Sequence, residues 1–237
     1  MLDKYQIIAI VACIIVLLLI IVLTSRSRII RTYKKYMRID NQLNVTGEQL
    51  ALFAKQDLGL KNLKFALTDQ KLGDAYSAKY QTLILSEEVC YTASLASLTI
   101  VAHELGHAQQ DNTNNSLFII TRLLGLLTRL TNALIIPMLI VGIFMHVFQY
   151  PNTDVGYILI IVSVCLFCLH VLNKILTVPL EYDASKRALK YLKEREFVSP
   201  SEFRKAKKLL NIAAQTYIAG LLDGILIFNV KKKRKKK

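Results

Sequence analysis

Tryptophan is absent from the 237 residues, so any aromatic belt at a membrane interface has to rest on the 11 Tyr. Cysteine is scarce too. Of the four, Cys13, Cys165 and Cys168 fall inside apolar runs and only Cys90 lies in a charged stretch, which gives no disulfide framework. Cys165-Leu166-Phe167-Cys168 sits in a continuous apolar helical pattern, where cysteine serves as a small hydrophobe rather than as a redox pair. Acidic residues are few: 17 Asp+Glu against 31 Lys+Arg leave a net charge of +14. No nucleic-acid motif accompanies that excess, and nucleic acid is not expected as a partner. The charge sits beside apolar runs instead. Seven cations form Lys231 to Lys237, and Arg26, Arg28, Arg31, Lys34, Lys35 and Arg38 directly follow the first apolar run. Positive charge in such places marks the cytoplasmic side and attracts anionic lipid, above all at the basic tail.

What the chain does have is long uncharged runs: 53% of its residues are hydrophobic, segregated from the charge rather than alternating with it. Ile7 to Leu23 is 17 apolar residues long, just enough to span a bilayer. Asp3 and Lys4 precede it in place of a basic leader, and Thr24-Ser25-Arg26 offers no cleavage site, so it reads as an uncleaved anchor. The arginines after it predict an external N-terminus and a cytoplasmic domain beyond. Two further runs, Leu130 to Phe148 and Gly156 to Leu176, flank a joint at 149–154 that lacks Lys and Arg. They read as a hairpin with its tip outside, returning the chain to the cytoplasm. His146 and His170 within them are expected to be buried and hydrogen-bonded rather than ligands. The stretch Asn211 to Val230 holds Gln215 and Asp223 and ends in the basic tail, which favours a helix on the cytoplasmic domain or at the interface.

The expected architecture is a mainly α, multi-pass protein of the cell membrane with about three transmembrane helices and a cytoplasmic α+β domain containing a small β-sheet. Its parts are an anchor (1–25), a cytoplasmic region (26–128), a transmembrane hairpin (129–177), and a cytoplasmic region with an apolar helix and polybasic tail (178–237). Within the soluble part, Thr46-Gly47-Glu48-Gln49 is a capping box opening a helix that Gly59 ends. Lys61 to Thr68 and Ala75 to Leu85 read as strands around the Gly73-Asp74 turn, with Tyr80 to Leu85 the stronger. Ser86 starts a short helical stretch. A longer helix, about Thr92 to Gln110, follows.

That helix contains His103-Glu104-Leu105-Gly106-His107. Residues four apart share a helix face, so His103 and His107 can direct two imidazole nitrogens at one ion. Zinc accepts three protein ligands and a water, whose pKa it lowers towards neutrality. Glu104, beside the ion, can take the water's proton and pass it to a leaving amine. No His follows at the metzincin spacing, so a third ligand must come from a later helix. Val178-Pro179-Leu180-Glu181-Tyr182-Asp183-Ala184-Ser185 stands out, because Pro179 can open a helix there and place Glu181 in its first turn.

From about Gly47 to Leu222 the chain resembles the membrane zinc metallopeptidases of the YugP type. Thr82-Leu83-Ile84-Leu85-Ser86, Ala102-His103-Glu104-Leu105-Gly106-His107-Ala108, Pro179-Leu180-Glu181-Tyr182-Asp183-Ala184-Ser185 and Ala214-Gln215-Thr216-Tyr217-Ile218-Ala219 carry the resemblance. Such proteins look like gluzincins, related in layout to the HtpX and CAAX-protease group. The resemblance implies a gluzincin-like domain holding one Zn2+ per chain, Glu181 as third ligand, and Asp183 in support behind the ligands. Family members carry an Asp-His-Tyr-Asp-Pro-like stretch where this chain reads Asp74-Ala75-Tyr76-Ser77-Ala78, so the substrate cleft is expected to differ while the ligands stay.

The expected activity is hydrolysis of a protein or peptide substrate at the cytoplasmic surface. Tyr80 to Leu85 is a candidate edge strand for holding an extended peptide, and Tyr76, Tyr182 and Arg187 are candidate oxyanion donors. The rival readings are a membrane scaffold with a vestigial metal site, and a hydrolase of non-peptide substrates.

Overall fold

The computed structural model describes Thr24, residues 27–148 and residues 153–226, with side chains as far as Ala214. The expected anchor Ile7 to Leu23 and the basic tail Lys231 to Lys237 lie outside the described residues. The protein is mostly helical with one small sheet.

Helix α1 (27–37) turns Tyr33, Tyr36 and Met37 inward and leaves Arg31, Lys34 and Lys35 exposed. The capping box forms as expected. Thr46 Oγ1 accepts from the Gln49 N–H at 3.2 Å and Gln49 Oε1 from the Thr46 N–H at 2.9 Å, opening α2 (Gly47–Asp57). Gly59 follows at φ 65°, a left-handed conformation that glycine adopts without strain.

The single strand expected over Ala75 to Leu85 is two strands. β1 (Lys64–Thr68) is followed by β2 (Ala75–Ser77), a turn in which Gln81 takes φ 48°, and β3 (Thr82–Ser86). The sheet order is β1-β3-β2, with β3 parallel to β1 and antiparallel to β2. The stronger strand is therefore central, and the expectation that it forms an edge is corrected. Its Leu83 and Leu85 point to one face of the sheet and are buried in the core, where the next two helices of the chain pack on the strand. β2 forms the edge.

Ser86 ends β3 and begins α3 (Glu87–Tyr91), but its hydroxyl caps nothing, donating instead to Asp74 Oδ1 at 3.0 Å. Helix α4 (Leu95–Asn112) opens at Ser94, whose side chain accepts from the Ser97 N–H at 3.0 Å. It is apolar on nearly every side, as befits a helix surrounded by others. Leu95, Leu98, Val101, Ala102 and Leu105 are all buried, each leucine contributing roughly 1.5–3 kcal/mol.

Helices α5 (Ser116–Val147) and α6 (Thr153–Glu194) pack along each other, and both are long and apolar enough to cross a membrane. They meet at Gly142 and Gly156, where a Cβ on Gly142 would lie 2.8 Å from the Gly156 carbonyl oxygen. Little of either apolar stretch is buried. Leu123, Leu130, Ile140 and Ile161 stand open on the surface, a band that water does not favour. Two helices have too few neighbours to bury both faces. His146 accordingly is exposed and lies 4.6 Å from the Tyr157 ring, not buried as expected, and the buried Nδ1 of His170 has no hydrogen-bond partner among the described residues.

Pro179 does not start a helix. It lies inside α6, which continues unbroken to Glu194. An interior proline removes one backbone hydrogen bond and costs about 3 kcal/mol, yet α6 is held here by α4 and α7 as well as by α5. Helix α7 (Pro200–Leu226) begins with a second capping arrangement, in which Glu202 Oε2 accepts from the Ser199 N–H and hydroxyl, both at 2.8 Å. Its Ala206, Leu209 and Leu210 pack into the core, and the helix continues from there through the described part of the Asn211 to Val230 stretch.

Candidate metal centre

Helix α4 presents His103 and His107 on the face turned towards α6, one turn apart, with ring centroids separated by 4.9 Å. Glu181 comes from α6, two residues after Pro179. Its Oε2 lies 3.1 Å from His103 Nε2 and 3.5 Å from His107 Nε2. Ligand atoms of all three lie within 4.8 Å of one another. Adjacent ligand atoms on a tetrahedral zinc are about 3.3 Å apart, close to the two separations of the Glu181 carboxylate from the imidazoles.

The approach of the two helices depends on Gly106. A Cβ there would fall 2.5 Å from the Ala184 carbonyl oxygen, and no side chain can occupy that space while α4 and α6 keep their contact. The glycine of the motif is thus a packing requirement that brings Glu181 to the histidines.

Each imidazole also has its outer nitrogen engaged. His103 Nδ1 lies 3.3 Å from Ser185 Oγ, and His107 Nδ1 lies 2.9 Å from Gln110 Oε1. The buried Gln110 amide donates in turn to the Leu180 carbonyl and to Asp183 Oδ2, each at 2.9 Å, and Arg187 Nε donates to the same Asp183 oxygen at 2.7 Å. Such contacts fix the ring orientation and leave both Nε2 atoms aimed at the same point. Asp183 touches Gln110 and Arg187 rather than a ligand, so it is connected to His107 through one intervening side chain. The Phe118 ring of α5 lies near His107, with ring centroids 6.5 Å apart.

Glu104 lies beside these residues on α4 and reaches towards β2, close enough to feel the charges of His103, His107 and Glu181. Its Oε2 accepts the backbone N–H of Tyr76 at 2.8 Å. Burial raises the Glu104 pKa, against the pull of His103 and His107 and with the help of the Glu181 charge. For His107, burial acts to lower the pKa, but the Glu181 hydrogen bond and the Glu104 and Glu181 charges carry it from 6.5 up to about 9. Tyr76 is tied further: its hydroxyl donates to Asp111 Oδ2 at 2.7 Å, and Arg122 pairs with Asp111 at 3.7 Å.

Of the expected residues, His103, His107 and Glu181 meet at one point with Glu104 beside them. Two of the oxyanion candidates are already engaged, the Tyr76 hydroxyl by Asp111 and the Arg187 guanidinium by Asp183, while Tyr182 is exposed. Gln110, Ser185, Asp111 and Arg122 were not singled out from sequence. Only Gln110 carried a signal, its i+3 spacing from His107.

The family described as "Putative neutral zinc metallopeptidase" matches residues 10–229. The chain is also similar to "Putative membrane protease YugP" of Bacillus subtilis (strain 168), with 25% identity over 191 residues, 80% of each chain. No solved structure matches. The match covers nearly the whole chain and includes both halves of the candidate metal centre, and the protein belongs to this zinc metallopeptidase family.

Proposed function

We propose that the protein is a membrane-bound zinc endopeptidase that cleaves a protein or peptide substrate at the cytoplasmic surface. The observation that carries this reading is the meeting of His103, His107 and Glu181 on two packed helices, with Glu104 one residue away. The two Nε2 atoms and the Glu181 carboxylate would hold one zinc, which when bound lowers the pKa of a water and polarises a carbonyl. Glu104 is the general base. Its raised pKa suits a group that takes a proton from water near neutral pH and returns it to the leaving amine. Ser185 and Gln110 keep the imidazoles in register, and Asp183, held by Arg187, supports Gln110.

The outer edge of β2 faces this site, since the Tyr76 N–H that β3 leaves free is the one that reaches Glu104. An extended peptide laid along that edge would bring its carbonyl past Glu104 and the ligands. A cavity of about 310 Å3 adjoins it, lined by Leu60, Leu63, Tyr76, Ala108 and Asp111 among others, with room for a substrate side chain. Glu181 follows the end of the apolar Gly156 to Leu176 run by five residues, about 8 Å along the helix, which supports cleavage close to the membrane. The absence of Lys and Arg at 149–154 and the cations on the other side of the hairpin support a cytoplasmic active site.

The test is zinc content of the detergent-purified protein beside Glu181→Ala and His103→Ala. One zinc per chain, lost or weakened in both variants, is expected. Wild-type protein that carries none would favour a scaffold with a vestigial site. A reporter fused after Gln110 tests the orientation, and an external signal overturns it.

A further inference from the structure

A second polar cavity lies away from the metal centre, between α1 and the first half of α7. It measures about 620 Å3 and is lined by Arg28, Thr32, Arg204, Lys207, Lys208 and Asn211, with Ile212 at one wall. Four cations surround one opening, and no acidic side chain lines it. Arg204, Lys207 and Lys208 have no ion-pair partner among the described residues. Cations gathered this closely repel one another, so the cavity favours an anion. The donor set is that of a phosphate site: arginine forks match two phosphate oxygens at once, and lysines add compact charge. Thr32 Oγ1 already donates to the Arg28 carbonyl at 2.9 Å, so towards a ligand it offers only acceptor capacity, suited to a hydroxyl.

The position of the cavity decides the source of the phosphate. Arg28 stands five residues after the apolar run Ile7 to Leu23, and Ile212 stands where α7 passes from its charged first half into an apolar sequence. Two boundaries between charged and apolar sequence, about 180 residues apart in the chain, therefore converge on the walls of one cavity. A ligand there would have its charged part among cations that stand, in sequence, next to two apolar stretches. We infer that this cavity binds the phosphate-bearing headgroup of an anionic membrane phospholipid. A basic tail such as 231–237 would attract anionic lipid diffusely, whereas this cavity has a defined set of lining side chains. Basic pockets beside membrane segments on the cytoplasmic side take such headgroups.

The experiment is titration of a fluorescent short-chain phosphatidylglycerol into the full-length protein in neutral detergent. Arg204→Gln/Lys207→Gln/Lys208→Gln is compared with Lys235→Gln/Lys236→Gln/Lys237→Gln, which removes the same charge from the tail. The expected result is binding about 100-fold weaker in the cavity variant and changed less than threefold in the tail variant. Lys207→Gln alone should weaken binding about fivefold, and it carries the test should the triple variant melt early. Equal losses in the two triple variants, or undiminished binding in the cavity variant, would overturn the inference. Displacement of the lipid by an equal concentration of inorganic phosphate would assign the site to free phosphate and overturn the lipid assignment. Failure of displacement by a hundredfold excess supports it. Zinc content and proteolysis play no part in the readout.

Discussion

The backbone N–H of Tyr76 donates to Glu104 Oε2 at 2.8 Å, so the carboxylate next to the metal ligands is oriented by a strand edge rather than by another side chain. A backbone donor cannot be lost by point substitution short of proline, and it leaves the second carboxylate oxygen to accept from water.

Glu104→Gln should therefore separate binding from chemistry. The amide keeps the side chain's shape but cannot take a proton, so peptide cleavage should fall roughly 10^2- to 10^4-fold while about one zinc per chain is retained. A Glu104→Gln protein as active as wild type would remove Glu104 from the reaction.

Zinc affinity should climb with pH. In the metal-free protein burial opposes the charged form of His107, yet Glu181 and Glu104 raise its pKa from 6.5 to about 9. A raised histidine contributes stability that is complete below its unfolded pKa and vanishes as pH passes the folded value. Metal-free protein should accordingly lose stability between about pH 6.5 and 9. Zinc must displace that proton, so its affinity should increase about tenfold per pH unit across the same window. Calorimetry in buffers of differing ionisation enthalpy should find close to one proton released. Affinity that stays flat across the window would contradict a ligand role for His107.

The outer contacts of the two histidines should rank by geometry. Gln110 is buried, 2.9 Å from His107 and anchored at two further points, whereas Ser185 reaches His103 only at 3.3 Å. Gln110→Ala should raise the zinc Kd about 10- to 100-fold, and Ser185→Ala should raise it less. Competitive chelator titration measures both, and the reverse order would contradict the assignment.

Gly106→Ala sets two effects against each other. Alanine gains about 1 kcal/mol in helix propensity, but its Cβ would sit 2.5 Å from a backbone carbonyl that cannot move without shifting α6. Overpacking of this kind costs typically 1–3 kcal/mol, so the clash should win. A lower Tm and weaker zinc binding are expected together, because the displaced helix carries Glu181. A Tm above wild type would show that the two helices separate freely.

Much of the site is legible in sequence because a helix fixes it locally: once His103 to His107 is helical, the shared face of the two imidazoles follows. The place of Glu181 beside the histidines was reachable for a different reason, the hairpin that returns the chain to α4. Pro179 misled because its local preference for a helix start is worth only a few kcal/mol, which packing along α4, α5 and α7 outweighs. The Ala75 to Leu85 stretch misled because a turn without glycine or proline, at Gln81 with φ 48°, gives little compositional warning of a hairpin. Gln110 and Asp111 were hidden because their roles depend on partners on other elements, Asp183 for one and Tyr76 for the other.

The unbroken course of α6 has a mechanical consequence. One rod carries an apolar segment long enough to cross a membrane and, about 22 Å beyond that segment's middle, Glu181, so it acts as a lever bearing the candidate third ligand. A tilt of roughly 10° about the middle of the apolar stretch would swing Glu181 by about 4 Å, many times the tolerance of a metal–ligand bond. The fold opposes that swing at Gly106 against Ala184, which clamps the rod one turn beyond the ligand. If α6 crosses a bilayer, the bilayer's thickness and the fit of that clamp would bear on the same three side chains.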